Sequence, residues 1–362
     1  MKNTPKTICY FSMYSTQFPR DRVLLRGFKD LGWNVIECVD STYSAKKYWN
    51  IFLKHIPLRK NYDVAIVAYT GQVLVPLVKL MTRKKIIFNA SNSIFEAVIL
   101  DRQKKKIFSL LSFKLWVLDF IAFLISDIIL VETDAQARFI ADIFFVNKKK
   151  MIRVWTSADE LDFYPDISAT KSDIFTVLFR GAFLPFVGVE YVVEVARILE
   201  KENIKFLILG NGLLEESIKY KLKEYSLLNV ELVTDYLEMK ELKRRMLSCH
   251  IAIGQISCHS RIERTITNKT FEYLALGIPF ITADSLSNRE LLNDTVNCVF
   301  VKCGDVNDLA QKIMYLKNNP IIQKKIGLNG RTLFENALRA KDIARCVSDH
   351  LLVVDGEVII KE

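Results

Sequence analysis

Residues 268–279 read NKTFEYLALGIP and contain a sharply defined helix boundary. Asparagine is a favoured N-cap residue, so Asn268 is predicted to open a helix. Gly277 and Pro279 are typical of a helix that stops, and the apolar run from Phe280 to Thr282 has the composition of a strand. The segment therefore predicts a helix that leads directly into a buried strand, a repeating step of α/β folds.

The same alternation of helix and strand extends outward from this segment through both halves of the chain. Apolar runs predict strands at residues 8–12, 35–39, 64–69, 85–89, 128–132, 175–179, 205–209 and 230–233. Amphipathic patterns predict helices between several of them, at residues 23–31, 189–201 and 215–225. The sequence therefore predicts an α/β protein with doubly wound parallel sheets.

The length of the chain indicates two domains. Its 362 residues exceed the roughly 250 to 300 at which a single core stops growing. Residues 159–173 lose the apolar periodicity and have the composition of a linker. We expect a first domain over residues 1–165, a second over 166–335, and a C-terminal helix and tail over 336–362 that can pack back on the first domain.

Charge and composition limit the classes of function. The net charge of +10 suits nucleic acid, an anionic membrane or a phosphorylated ligand. The lysine runs at residues 104–106 and 148–150 are not interleaved with aromatic residues, so nucleic acid is not an expected partner. The seven cysteines and four histidines show no metal-ligand spacing, and no metal site is expected.

Ligands of open α/β sheets bind in the loops that follow the strands, which singles out three places in the second half. Arg180 can pair with a phosphate, and Gly181 allows close approach of the backbone. Gly210 and Gly212 follow the next strand and can line a phosphate pocket. Each pair can equally belong to an ordinary turn.

The helix that begins at Asn268 supplies the third place. Lys269 lies near its N-terminus, where a diphosphate is favoured. Glu272, one turn later, offers two acceptor oxygens to paired hydroxyls such as those of a ribose. The alternative is that these residues only cap the helix and complement its dipole.

At these residues the sequence resembles the family 4 glycosyltransferases, which are also called group 1. NKTFEYLALGIPFIT is similar to the family's P-x-K-x-x-E-x-x-A-x-G-x-P pattern, and GAFLPFVGVEYVVEVA, LILGNG and NCVFVKCGDVNDLAQKI stand in the family's order around it. The resemblance covers most of residues 174–320. PRDRVLLRGFKDLGWNVIECVD and NSIFEAVILDR resemble the first domain more loosely. The resemblance implies the GT-B fold, in which two Rossmann-like domains face a central cleft.

The resemblance also implies a function. It is that of a retaining, hexosyltransferase-like enzyme that needs neither metal nor cofactor and takes a UDP- or GDP-sugar as its donor. The acceptor is expected to be a glycan or a lipid-linked sugar in cell-surface polysaccharide or glycolipid synthesis. Glu272 would bind the donor ribose, with Lys269 near the nucleotide. The expected nucleotide-sugar-binding residues are Glu272, Lys269, Asn268, Arg180, Gly181, Gly210 and Gly212.

Two positions depart from the family pattern. Arg264 stands where the family often has a second glutamate facing the transferred sugar, and Val187 stands where it usually has lysine or histidine. Glu263 and, in the first half, Glu96 are the candidate catalytic carboxylates, although both can equally be solvated surface groups. Two other functions therefore stay open: a non-catalytic protein that binds a nucleotide or a partner enzyme, and a nucleotide-sugar epimerase.

The most apolar stretch of the chain lies within residues 104–131. Lys114, Asp119 and Asp127 interrupt it, so a buried helix is predicted rather than a membrane span. The lysines at 104–106 make an anionic membrane surface an additional expected partner. Because the apolar run at residues 8–11 is too short for a signal-peptide core, we expect a cytoplasmic protein that can lie peripherally on the cytoplasmic face of the membrane.

Overall fold

The computed structural model describes residues 6–101, 107–354 and 357–360. The chain divides into two compact units, Met1–Ser157 with Arg339–Glu362, and Ala158–Leu338. This boundary lies before residue 165, where the linker composition predicts it. The segment after Ser157 already packs within the second unit, because Phe163 is buried and the Lys243 ammonium lies 3.2 Å from the ring centre of Tyr164.

The first unit is built on a parallel sheet. Six strands of its described residues pair in the order β2-β1-β3-β4-β5-β6. They are β1 (Thr7–Ser12), β2 (Asn34–Val39), β3 (Val64–Val67), β4 (Lys85–Ser91), β5 (Ile128–Val131) and β6 (Met151–Arg153). The helices along this part of the chain are α1 (Pro19–Asp30), α2 (Lys46–His55), α3 (Leu74–Met81), α4 (Leu110–Ile125) and α5 (Asp134–Phe144). The central strands are buried on both faces, as their continuous apolar runs require.

Helix α4 differs from the buried helix that its composition predicts. Ser109 caps it by accepting a hydrogen bond from the N–H of Ser112. One side packs on the unit through Asp119, Ala122 and Phe123, while much of the other side is exposed. The prediction was wrong because a helix that is apolar all round gives no period from which its exposed side can be read. None of the helices within the described ranges combines the length and apolar character needed to cross a bilayer.

The second unit contains another parallel sheet. Six strands of the described chain pair in the order β12-β11-β10-β7-β8-β9. They are β7 (Phe175–Arg180), β8 (Ile204–Leu209), β9 (Val230–Val233), β10 (Ile251–Ile253), β11 (Phe280–Ala283) and β12 (Val299–Val301). The helices are α6 (Val189–Ile198), α7 (Glu215–Glu224), α8 (Met239–Ser248), α9 (Asn268–Leu276), α10 (Leu286–Arg289), α11 (Val306–Asn318) and α12 (Pro320–Ala337).

The last elements of the chain belong to the first unit. Helix α13 (Ala340–Ser348) lies against α1, and the strands β13 (Leu351–Val354) and β14 (Glu357–Ile360) form an antiparallel hairpin. Gly27 of α1 allows the close approach, because a Cβ atom there would lie 1.9 Å from the carbonyl oxygen of Ala340. A side chain at this position would therefore push the two helices apart.

Candidate functional site

The strand order of the second sheet reverses between two neighbouring strands. From β7 the chain moves to β8 and β9 on one side, and then returns to β10, β11 and β12 on the other. The loops after β7 and β10 therefore separate at the carboxyl end of the sheet and leave a crevice between them, which is the usual ligand position in such sheets. Helix α9 follows the loop after β10.

Tyr273 fastens α9 to this crevice. Its hydroxyl donates to the carbonyl oxygen of Ile253 at the end of β10, at 3.2 Å, and accepts from the backbone N–H of Arg180 at the end of β7, at 3.3 Å. The side chain is fully buried. Tyr273 is not among the site residues that the sequence predicts, although its place directly after Glu272 in the motif is the available signal.

Arg180 and Glu272 form an ion pair at the mouth of the crevice. One guanidinium nitrogen, Nη1, donates to both carboxylate oxygens of Glu272. The Glu272 side chain is 6% exposed and that of Arg180 is 26% exposed, so the carboxylate lies deeper than the guanidinium. The structure thus brings together two residues that the sequence marks separately for phosphate and ribose.

Lys269 lies beside this pair with its charge uncompensated by a hydrogen bond. Its side chain is buried, and its Nζ atom finds no hydrogen-bond partner within the described part of the chain. The ammonium is 3.8 Å from the ring centre of Phe179, a cation–π contact. Burial lowers the pKa of Lys269 well below its usual range, and the charge of Arg180 lowers it further, while Glu272 opposes the shift. An anion at this position would stabilise the charged form.

Glycines let two backbone loops meet at the same point. A Cβ atom at Gly210, whose φ is +144°, would lie 2.0 Å from the carbonyl oxygen of Gly181. At Gly181, whose φ is +140°, it would lie 2.9 Å from the Cε atom of Lys269. Gly212 instead packs against the backbone of Phe183. Gly181 and Gly210 therefore allow the two loops and Lys269 to pack closely at the site, and Gly212 allows its own loop to pack on the backbone of Phe183.

A cavity of about 350 Å³ opens next to these loops. Arg180, Gly181 and Gly210 line it together with Asn211 and Tyr236, and the Tyr236 side chain is almost fully exposed. An exposed aromatic ring at the rim offers a flat apolar surface for a planar ring. A larger concavity, about 830 Å³, lies between the segment after Ser157 and α8, but neither Arg180 nor Glu272 lines it.

Helix α9 begins one residue differently from the prediction. Asn268 is its first helical residue, and Thr267 occupies the cap position without a side-chain capping bond. The assignment of Asn268 as the cap was therefore wrong. The expected association of Asn268 with the nucleotide stays a prediction.

The two departures from the family pattern lie in different surroundings within the second unit. Val187 is buried in the apolar core, where a charged side chain would be costly. Arg264 ends the short 3₁₀ helix Ser260–Glu263. The carboxylate of Glu263 accepts a hydrogen bond from the backbone N–H of Leu286 at 2.8 Å, so it is held at the start of α10.

Glu96 lies in the first unit, on the π-helical turn Glu96–Asp101 that follows β4. It is fully buried and accepts a hydrogen bond from Gln136 Nε2 at 2.8 Å. The alternative interpretation of Glu96 as a solvated surface group was therefore wrong, and Asp101 at the end of the same turn is also buried. The turn brings both groups inward, which a regular helical wheel does not predict. The catalytic roles of Glu96 and Glu263 stay predictions, and the lysines at 104–106 lie outside the described residues.

The second unit is similar in sequence to a known protein family. Residues 162–333, nearly the whole second unit, match the family described as glycosyl transferases group 1. These residues form a group 1 glycosyltransferase domain. The family resemblance inferred from NKTFEYLALGIP is thereby confirmed, and the crevice between β7 and β10 lies within the group 1 domain.

Curated relatives match parts of the chain. A Bacillus subtilis (strain 168) protein named as the glycosyltransferase EpsD is 30% identical over 99 residues, 27% of this chain and 25% of the relative. An uncharacterized glycosyltransferase of Methanocaldococcus jannaschii is 27% identical over 154 residues, 42% of this chain and 41% of the relative. The chain therefore spans less than half the length of each of these relatives.

Solved structures match the chain over nearly its whole length. Sucrose-phosphate synthase from Thermosynechococcus elongatus has a TM-score of 0.74 at 12% identity, covering 95% of this chain and 98% of that one. HepE of Anabaena in complex with UDP has a TM-score of 0.71 at 12% identity, with the same coverages. At such low identity the likeness shows the fold. The prediction of two Rossmann-like domains of the GT-B type is confirmed.

Proposed function

We propose that this chain transfers a sugar from a nucleotide-sugar to a glycan or lipid-linked acceptor, in cell-surface polysaccharide or glycolipid synthesis on the cytoplasmic side of a membrane. The donor is a UDP- or GDP-hexose, and the reaction retains the anomeric configuration without a divalent metal. The observation that carries the proposal is the cluster of Arg180, Glu272 and Lys269 at the crevice between β7 and β10.

The cluster has the groups that a nucleoside diphosphate needs. Glu272 offers two carboxylate oxygens to a ribose diol, and Lys269 holds a buried amino group with free donor capacity, whose charged form an adjacent diphosphate would stabilise. In this structure the Arg180 guanidinium donates hydrogen bonds to both oxygens of the Glu272 carboxylate. When ribose hydroxyls take its place, the guanidinium is released toward the diphosphate, where it gains a bidentate partner.

The same charges serve the chemical step. The leaving diphosphate gains negative charge as the bond between the sugar and the phosphate breaks. Fixed positive groups in a site of low dielectric stabilise that charge most strongly in the transition state. Lys269 and Arg180 supply two such groups, which is the role that a metal ion would otherwise fill.

The fold neighbours support a nucleotide-sugar as the partner. HepE of Anabaena has been solved in complex with UDP and with UDP-glucose. In this chain the cavity beside Gly181 and Gly210, with the exposed ring of Tyr236, has room for a nucleoside next to the ion pair.

Calorimetric titration with UDP, GDP and their hexose derivatives tests the donor site. We expect micromolar to millimolar binding of one base series, and loss of it in Glu272→Ala but not in Glu200→Ala, an exposed control in the same unit. Transfer to lipid-linked sugars in membrane extracts, with NMR of the product, tests retention. No binding in any series, or an inverted product, would contradict the proposal.

A non-catalytic nucleotide-binding protein is the second candidate. It is favoured by the burial of Val187 in the apolar core at a position where the family usually carries a basic residue. One contact to the diphosphate is then missing unless Lys269 or Arg180 replaces it. Nucleotide binding without Glu272-dependent release of UDP or GDP from any donor, in extracts that contain acceptors, would favour this candidate over the transferase.

A further inference from the structure

The outer side of α4 is apolar apart from Lys114. Leu110, Val117, Ile121 and Leu124 are spaced at seven, four and three residues and so share one side of the helix, opposite the buried Asp119. Leu110 is 70% exposed and Leu124 is 52% exposed. A helix on the surface of a protein in water normally presents polar residues on this side.

Further exposed apolar side chains continue this surface at the start of the helix. Ile107, Phe108, Leu111 and Phe113 are all exposed, Phe108 completely and Phe113 by 63%. We call these residues, with Leu110, Val117, Ile121 and Leu124, the α4 surface. Contiguous apolar patches of this kind mark a contact with another molecule or with lipid.

Exposed lysines lie on the α4 surface and at its C-terminal end, while the exposed acidic Asp142 lies beside it on α5. Lys114 is exposed on the helix itself, and the one acidic residue of α4, Asp119, is buried. At the C-terminal end, Lys150 Nζ donates to the carbonyl oxygens of Leu124, at 2.8 Å, and Ser126, at 3.2 Å. This contact fixes the short 3₁₀ helix Lys148–Lys150 beside the end of α4.

The lysine cluster at this end carries its own exposed aromatic group. Lys148 and Lys149 are exposed, and Phe145, three residues before Lys148, is 81% exposed. The carboxylate of the nearby Asp127 forms ion pairs with Lys79 and Lys85, whose Nζ atoms lie 3.8 and 3.2 Å from its oxygens. An apolar strip with lysines on it and at its end is the pattern of a helix that lies in the interface of an anionic bilayer.

We propose that the α4 surface docks on an anionic lipid bilayer, with the helix parallel to the membrane plane. Its 16 residues extend for about 24 Å, and the apolar side chains enter the acyl boundary while Lys114, Lys148 and Lys149 meet lipid phosphates. A second copy of the chain fits less well, because an apolar contact over this surface would bury the charge of Lys114, whereas a bilayer surface offers it lipid phosphates. The proposal does not depend on sugar transfer.

Flotation of the full chain with vesicles, without nucleotide, tests the docking. One vesicle set contains phosphatidylcholine alone and the other contains phosphatidylcholine mixed with phosphatidylglycerol. We expect binding to the mixed vesicles, weakened by salt, and little binding to the neutral set. Lys149→Gln should weaken it about fivefold, as expected for one basic residue near an anionic surface.

The apolar contact is tested by Phe113→Gln and, separately, by Leu110→Gln, each of which should weaken binding to the mixed vesicles by about tenfold or more. Both side chains are exposed, so these variants should fold, which circular dichroism checks. Leu228→Gln is the matched control, since Leu228 is 94% exposed in the second unit, and it should bind like the unchanged protein.

Three results would overturn the docking. The first is no binding to mixed vesicles, and the second is equal binding to both vesicle sets. The third is self-association in analytical ultracentrifugation that Phe113→Gln abolishes, because a second copy would then cover the α4 surface.

Discussion

Arg180 and Glu272, which are separated by 92 positions in the sequence, share an ion pair in which one guanidinium nitrogen donates to both carboxylate oxygens. The pair satisfies the carboxylate to which the proposed function assigns the ribose. If that proposal holds, binding of a nucleotide requires Glu272 to exchange Arg180 for the ribose, and substitutions of the two residues should affect nucleoside and diphosphate binding differently.

Substitution of each partner should separate ribose from diphosphate recognition. Arg180→Met should weaken binding of the nucleoside diphosphate about 10- to 100-fold, as expected for loss of a hydrogen bond to a charged group. Binding of the parent nucleoside should be unchanged or stronger, because its ribose no longer displaces the guanidinium from Glu272. Glu272→Gln should weaken both ligands. Calorimetry with UDP and uridine, or with GDP and guanosine, makes the comparison. Equal losses for nucleoside and diphosphate in Arg180→Met would show that Arg180 does not reach the phosphates.

Lys269 should take up a proton when the diphosphate binds. Burial lowers its pKa in the free protein, and an adjacent anion favours the charged ammonium, so binding should raise this pKa. Calorimetric titration with UDP or GDP in buffers of different ionisation enthalpy measures the protons exchanged. The proton uptake on binding should disappear in Lys269→Met. If that variant takes up as many protons as the unchanged protein, another group is the one that titrates.

Lys269 should also lower the stability of the free protein. The folded pKa is depressed below that of the unfolded chain, so the unfolded state binds more protons between the two values, and the free energy of unfolding falls as pH decreases through that window. Lys269→Met should therefore be at least as stable as the unchanged protein at neutral pH. The difference should shrink near pH 10.5, the ordinary lysine value. Urea unfolding at several pH values measures both effects.

Gly210→Ala should destabilise the second unit by about 2 kcal/mol or more. The new Cβ atom would collide with the carbonyl oxygen of Gly181, in a backbone region that L-residues rarely adopt. Gly32→Ala is the control, because Gly32 also has a positive φ, +82°, but no atom lies within 4 Å of the position that a Cβ atom would occupy there. Gly32→Ala should lower the free energy of unfolding by about 1 kcal/mol, which is the cost of placing alanine at a positive φ without any collision. Equal losses in both variants would contradict close packing of the two loops.

Asp119 should make the first unit less stable as pH rises toward neutrality. Burial raises the pKa of this carboxyl to about 7, while the N–H groups of Ile94 and Phe95, which donate to it, oppose the shift. The folded state thus binds more protons than the unfolded chain between about pH 4 and 7, and stability decreases across that range. Asp119→Asn should flatten this dependence in thermal unfolding followed at each pH. An unchanged slope would mean that another group titrates there.

The fold and the composition of the site could be predicted from the sequence for physical reasons. Strand and helix periods are local, so the alternation around residues 175–233 indicates a sheet without knowledge of any contact. Lys269 and Glu272 lie on one turn of one helix, and their proximity follows from helical geometry. Arg180 and Gly181 stand at the carboxyl end of a strand of the same parallel sheet, so they are expected at the same edge of the sheet as the loop that leads into α9.

Long-range pairings could not be predicted in this way. The bonds from Tyr273 to the ends of β7 and β10, and the contact of Glu96 with Gln136, depend on how distant segments pack. The exposed side of α4 was missed for a related reason. An apolar residue on its surface and one in its core look alike in the sequence, and only the neighbouring elements decide which side is covered.

The return of α13 to α1 makes the first unit discontinuous in the sequence. The second unit, Ala158–Leu338, begins and ends inside the first, so it is an insertion joined to its host at two points. One proteolytic cut in the segment after Ser157 would leave both units covalently connected through Leu338 and Arg339. Because the insertion is continuous in the sequence, it can be exchanged as one segment. Replacing residues 158–338 with those of a related protein would replace the whole cluster of Arg180, Lys269 and Glu272, while α1, α13 and the α4 surface would stay unchanged.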